Sequence, residues 1–292
     1  MPCYHPIQGY RSTELGKTGK RKIVFSPTKG YVDLPVKVPC GQCIGCRIDR
    51  SQAWAARCVH ESQFHDQNCF ITLTYAPENL PPGGTLVKKH FQDFMKRLRK
   101  NSGKKIRFFH CGEYGENLER PHYHAILFGL DFPDKVKHTQ NARGEIIYTS
   151  PLLERIWGKG HCTVGPLTYE TAAYTARYIM KKITGDMAES HYQGRLPEYI
   201  TMSLKPGIGN KFFEEYQNDV FPSDYIVIRG SQKKVPKYYD RQLEKLDPEY
   251  FEKVKSARVR RGLKYRIDST PERLSVREEV ATAKLNLKSR KI

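Results

Sequence analysis

Two periods govern where apolar residues fall along this chain, and each predicts a kind of element. Residues 69–75, CFITLTY, alternate apolar and threonine positions, as a strand buried on one face does. Residues 107–129, RFFHCGEYGENLERPHYHAILFG, carry apolar runs on either side of a polar turn rich in Gly, Glu and Asn, which predicts a β-hairpin. Shorter strands are expected at 22–26, 146–149, 161–164 and 225–229. Helical spacing governs 86–100, where Phe91, Phe94, Met95 and Leu98 form a stripe opposite a Lys/Arg face. The same spacing recurs after a Cys-rich run, with Trp54, Ala55, Cys58 and Val59 on one side, and in 153–157, 168–184 and 210–219. In 168–184, TYETAAYTARYIMKKIT, Thr168 is a helix start and Gly185 a stop. The Pro/Gly runs APENLPPGG and PGIG must be turns. The first forty residues read as an arm laid over the domain, and 231–292 as a basic, mostly helical tail that need not pack tightly.

Charge gives this outline a partner. In 292 residues there are 50 Lys and Arg against 31 Asp and Glu, a formal charge of +19, which calls for a polyanion and first of all nucleic acid. The tail alone holds 18 basic against 9 acidic residues. No apolar run is long enough to span a bilayer, and neither an export signal nor a membrane-binding amphipathic helix is expected. Eight cysteines in a long, Lys-rich chain without an export signal fit a reducing cytoplasm and free or metal-bound thiols.

Three groups of residues carry candidate chemistry. His122 and His124 are two apart on one strand, so both imidazoles leave the same sheet face, as half of a metal site. Glu113, at the end of the partner strand, is the best third ligand; Glu116 and Glu119 fall in the turn. A carboxylate beside two imidazoles suits Mg²⁺ or Mn²⁺. Tyr174 and Tyr178 lie one helical turn apart, with Lys181 and Lys182 a turn further on. A tyrosine hydroxyl attacks poorly near neutrality unless its electrophile is polarised, which a cation on a phosphodiester does. Cys40, Cys43 and Cys46 can hold one metal ion, a structural zinc completed by Cys3 or His5, or can be small thiols packed beneath a helix start.

Taken together, FITLTY, RPHYH and YTARYIMKK resemble the three motifs of the HUH endonucleases, in the family's order. MPCYHP, VPCGQCIGCR, GEYG and PGIG extend the resemblance to the rolling-circle replication initiators of gokushoviruses, bacteriophages of the Microviridae, over residues 1 to about 210. The resemblance implies an α+β fold with an antiparallel β-sheet of about five strands and packed helices, plus an N-terminal Cys-rich arm and a basic helical tail. The chain as a whole is expected to divide into an arm and Cys-rich helix over 1–60, a catalytic domain over 61–230 and the basic tail over 231–292. The resemblance further implies that His122, His124 and Glu113 bind a divalent cation, that Tyr174 and Tyr178 are nucleophiles, and that Lys181 assists them. Tyr123 stands where the histidine motif usually has an aliphatic residue. The expected activity is nicking and rejoining of one strand at a viral origin, with single- and double-stranded origin DNA, host helicase and host polymerase as partners in the bacterial cytoplasm. A plasmid relaxase or transposase shares that chemistry; a non-catalytic nucleic-acid-packaging protein with a zinc module is the reading outside it.

Overall fold

The computed structural model describes residues 3–16, 19–115, 118–141, 143–177, 182–183, 187–265 and 267–287. These divide into two compact units, one from Met1–Arg50 and Arg258–Ser289, the other from Ser51–Ala257.

The larger unit is built on a seven-stranded antiparallel sheet. Its strands are β4 (Asn68–Thr74), β5 (Arg107–Tyr114), β6 (Pro121–Phe128), β7 (Val136–Gln140), β8 (Ile146–Thr149), β9 (Cys162–Gly165) and β10 (Tyr199–Met202). They lie in the order β10-β5-β6-β4-β9-β8-β7, so the expected hairpin sits at the centre. The alternating strand and the hairpin fall where their patterns place them. β7 has no such pattern, because VKHTQ is exposed along its whole length. β10 and β7 take the sheet beyond five strands.

Period-two alternation gives this sheet two apolar faces. Ile71, Leu73, Tyr123, Ala125 and Leu127 face one way, against Phe91, Phe94, Met95 and Leu98 of α2 (Lys88–Ser102) and Leu153, Ile156 and Trp157 of α3 (Pro151–Trp157). Phe70, Phe109, Ile126 and Phe128 face the other way, against Ala55 and Cys58 of α1 (Ile44–Ser62) and Ala172 and Ala176 of α4 (Tyr169–Arg177). The result is a three-layer α+β arrangement. Thr168 and Thr171 start α4 reciprocally: the Thr171 amide donates to Thr168 Oγ1 at 3.1 Å, and the Thr168 amide to Thr171 Oγ1 at 2.8 Å.

After the short α5 (Met187–Tyr192), a second cluster in this unit joins Ala56 to Phe213, Val220 and Phe221 of α6 (Asn210–Ser223), to the ribbon β11 (Ile226–Ile228) and β12 (Ser231–Lys233), and to α7 (Lys237–Leu246) and α8 (Pro248–Leu263). Tyr239, Leu243, Phe251 and Val254 are buried in it. The expectation of loose packing beyond residue 231 therefore fails for this segment: its apolar residues are sparse, but their helical spacing directs them into one core. The PGIG turn locks onto the same cluster. Gly209 has φ +78, and a Cβ there would come within 2.6 Å of the Tyr239 hydroxyl, so only glycine fits. Its amide donates to Glu61 Oε2 at 2.7 Å, and Glu61 also pairs with Arg107.

In the smaller unit, β1 (Ile7–Leu15), β2 (Arg21–Val24) and β3 (Gly30–Val38) form an antiparallel sheet, where the sequence gives grounds for only one strand. Both faces mix polar and apolar residues, so period-two alternation is missing. The unit also contains α9 (Pro271–Asn286).

Candidate active site

The register of three strands assembles the site. Glu113 pairs with His122 and Cys111 with His124 across β5 and β6, while Thr74 pairs with His122 and Thr72 with His124 across β4 and β6. Paired residues share a face, so Glu113, His122, His124 and Thr72 all point to the α4 side. Glu113 Oε1 lies 2.7 Å from His122 Nε2 and 2.9 Å from His124 Nε2. The carboxylate is almost wholly buried, and His122 is the most open of the three, at 17% side-chain exposure, so the site is reached past His122.

Hydrogen bonds behind the rings decide what the site can hold. His122 Nδ1 is 3.1 Å from the Arg120 carbonyl, which only accepts, so Nδ1 donates to it and Nε2 is the nitrogen turned toward Glu113, where a cation between them would take its lone pair. Thr72 Oγ1 lies 2.9 Å from His124 Nδ1 and turns the second ring the same way. Burial pushes the Glu113 pKa up, but contact with His122 and His124 outweighs it and holds the carboxyl below its usual range. Two imidazole lone pairs and a carboxylate, all within 4.8 Å of one another, converge on one point and suit a divalent cation.

α4 comes close to this face because the residues it turns inward are small: Ala172 and Ala176 are fully buried against the sheet. Ser51 Oγ of α1 donates to the Ala173 carbonyl at 2.9 Å and ties the two helices together. Tyr174 is thereby half-buried beside the candidate ligands, its ring edge-on to His124 at 5.2 Å and to Phe70 at 6.5 Å between centroids. The structure thus brings Glu113, His122, His124 and Tyr174 together. Tyr178 and Lys181 lie outside the described residues; Lys182 is exposed. Thr72 and the Arg120 carbonyl were not singled out in the sequence. A threonine in an alternating strand carries a signal for Thr72, whereas a backbone carbonyl carries none.

A family model described as replication-associated protein ORF2/G2P matches residues 68–183, from the first strand of the large sheet through the tyrosine helix. The replication-associated protein ORF2 of Spiroplasma virus 4 is 36% identical over 88% of this chain and 86% of its own length. The chain belongs to the phage replication-associated proteins. The VP4 protein of Bdellovibrio phage phiMH2K is 34% identical over 87% of the chain and 82% of its own, and the ORF4 protein of Chlamydia phage 1 is 30% identical over 73% and 57%. Both are also named replication-associated proteins. No solved structure matches the chain.

This family member has a second group able to hold a metal, in its smaller unit. The sulfurs of Cys3, Cys40, Cys43 and Cys46 lie within 4.8 Å of one another. Cys3 Sγ is 3.7 Å from Cys40 Sγ and 4.0 Å from Cys43 Sγ, near the ~3.8 Å expected around a tetrahedral ion with bonds of about 2.3 Å. The amides of Cys40, Tyr4 and Cys43 donate to the sulfurs of Cys3, Cys43 and Cys40 at 3.2–3.3 Å, as suits thiolates. Of the two expected fourth ligands it is Cys3 that joins the group; His5 Nε2 meets Glu278 Oε2 at 2.6 Å instead.

Proposed function

We propose that this protein is a replication initiator that nicks one strand of viral origin DNA through tyrosine and later rejoins it. The observation that carries the reading is at His124: one edge of its environment is the Glu113–His122 ligand set, and the other is the ring of Tyr174. Glu113, His122 and His124 would hold Mg²⁺ or Mn²⁺, which supplies polarisation of a phosphodiester oxygen. The Tyr174 hydroxyl loses its proton as its oxygen bonds to phosphorus, and the bond from phosphorus to the 3′ oxygen breaks. That oxygen leaves as a 3′ hydroxyl, free to prime a host polymerase, while the 5′ phosphate stays on the tyrosine. One phosphodiester replaces another, so a later 3′ hydroxyl reverses the step without ATP. Tyr178 would serve a second transfer and Lys181 would stabilise charge on the phosphoryl oxygens; these roles rest on the motif resemblance. The four cysteines would hold a structural zinc. The setting is the cytoplasm of the bacterial host, with origin DNA and the host helicase and polymerase as partners; among the described residues no helix is long and apolar enough to cross a membrane.

Single-stranded origin DNA with Mn²⁺ should give a tyrosine-linked oligonucleotide, identified by mass spectrometry. Replacing Tyr174 and Tyr178 together with Phe should abolish it and leave DNA binding intact. Adducts persisting in the double variant would remove the nucleophile assignment, and nicking undiminished in His122→Ala/His124→Ala would remove the metal site.

A further inference from the structure

Strand pairing in the small sheet fixes which side chains share a face. Arg11 stands opposite Ile23 on β2 and Tyr31 on β3, and Ile7 stands opposite Val38. Alternation adds Arg21 to that face, and Phe25, just past β2, joins it over Gly9. Arg21 accordingly lies over the Tyr31 ring, 5.0 Å from its centroid. Gly9 lies buried in the middle beneath Ile23 and Phe25, where a Cβ would come within 2.8 Å of Ile23 and 3.6 Å of Phe25. Large apolar groups here are open to solvent: Phe25 is 59% exposed, Ile7 44%, Ile23 38% and Tyr31 37%. Contiguous exposed apolar surface of this kind marks an interaction site.

The distribution of charge identifies the occupant. The unit made of Met1–Arg50 and Arg258–Ser289 holds 18 Lys and Arg against 7 Asp and Glu, whereas the much longer Ser51–Ala257 holds 30 against 24. Excess positive charge per residue is therefore greatest in the unit that carries the open aromatic face. We propose that this face, centred on Phe25, Tyr31, Arg11 and Arg21, is a platform for single-stranded DNA. This rests on the reading of the protein as one that acts on DNA. Exposed rings beside guanidinium groups stack on unpaired bases and attract the backbone, whereas a duplex hides its bases from them. A second copy of this chain fits the face poorly, since self-association would set Arg11 and Arg21 against their own duplicates. Strand addition at the edges is also disfavoured, by the four-residue β2 and by Pro35 in β3.

The test is fluorescence anisotropy of a labelled oligothymidine with the full chain and no added divalent cation. Phe25→Ala/Tyr31→Ala should weaken binding about tenfold or more, and Phe25→Tyr, which keeps a stacking ring, should bind as the parent does. Arg11→Gln should lower the slope of log affinity against log salt by about 0.7. Unchanged thermal unfolding of each variant shows that it folds. Affinity unaltered in the double variant overturns the platform. So does a parent chain that sediments as a dimer, or binds anionic vesicles, through Phe25 and Tyr31 while its DNA affinity is indifferent to them. Nicking assayed through Tyr174 fails or succeeds separately: a chain that binds DNA through this face yet forms no adduct would sink the enzymatic reading and leave the platform standing.

Discussion

Thr72 shows how much a single residue decides in the candidate active site. Its hydroxyl is 2.9 Å from His124 Nδ1, on the side away from Glu113, and so sets which nitrogen faces the ligand point. Partners of this kind typically govern metal affinity by about 10- to 100-fold. Thr72→Val keeps the shape and removes the hydroxyl, so Mn²⁺ affinity measured by electron paramagnetic resonance should fall about tenfold, while Thr72→Ser should keep most of it. Equal affinity in Val and parent would reduce Thr72 to a packing residue. The histidines and Glu113 can be recognised from strand period and hairpin pairing alone. The second contact of each imidazole cannot, because it depends on which side chain or carbonyl the neighbouring strand brings behind the ring.

Among the elements, the small sheet and its cysteine cluster are the pair with the least apolar support. In their unit the buried apolar side chains, among the described residues, are Cys3, Cys43, Cys46 and Leu274. A sheet with so little core needs a staple, and the cysteines join the residues before β1 to those after β3. Elemental analysis should find one zinc per chain. Cys43→Ser or strong chelation should unfold β1–β3, read as rapid hydrogen exchange of amides 7–38. Protected amides in metal-free protein would show that the sheet stands without it. The same scarcity of buried apolar residues explains why these strands left so faint a pattern: an element with two wet faces shows no alternation.

Across the larger unit as a whole, acid stability should depend on His60, buried in the joint between α1, α6 and α7. It stacks on Phe212 at 3.5 Å, Nδ1 meets the Tyr239 hydroxyl at 2.8 Å, and burial lowers its pKa to about 4. An unfolded histidine titrates near 6.5, so between these values the unfolded chain binds a proton that the folded chain refuses. The stabilisation is complete above about 6.5 and is lost as pH falls through this window, on the order of 2 kcal/mol by pH ~5. His60→Gln should flatten the fall in denaturant midpoint between neutral pH and that value; an equally steep fall would place the acid sensitivity elsewhere.

Local periodicity and short-range pairing determined the central hairpin, the alternating strand, the stripe of α2 and the convergence of Glu113 with His122 and His124, since each depends on neighbours within one or two strands. Motif spacing determined the kinship with phage replication proteins. Tertiary structure alone decided that α4 lies close enough for Tyr174 to meet His124, because that distance is set by Ala172 and Ala176 against Phe70, Phe109, Ile126 and Phe128. It also decided that residues 231–257 share a core with α1 and α6, and that Cys3 rather than His5 completes the cysteine group. These contacts join positions far apart along the chain, and no local pattern specifies a partner that only the folded core brings into reach.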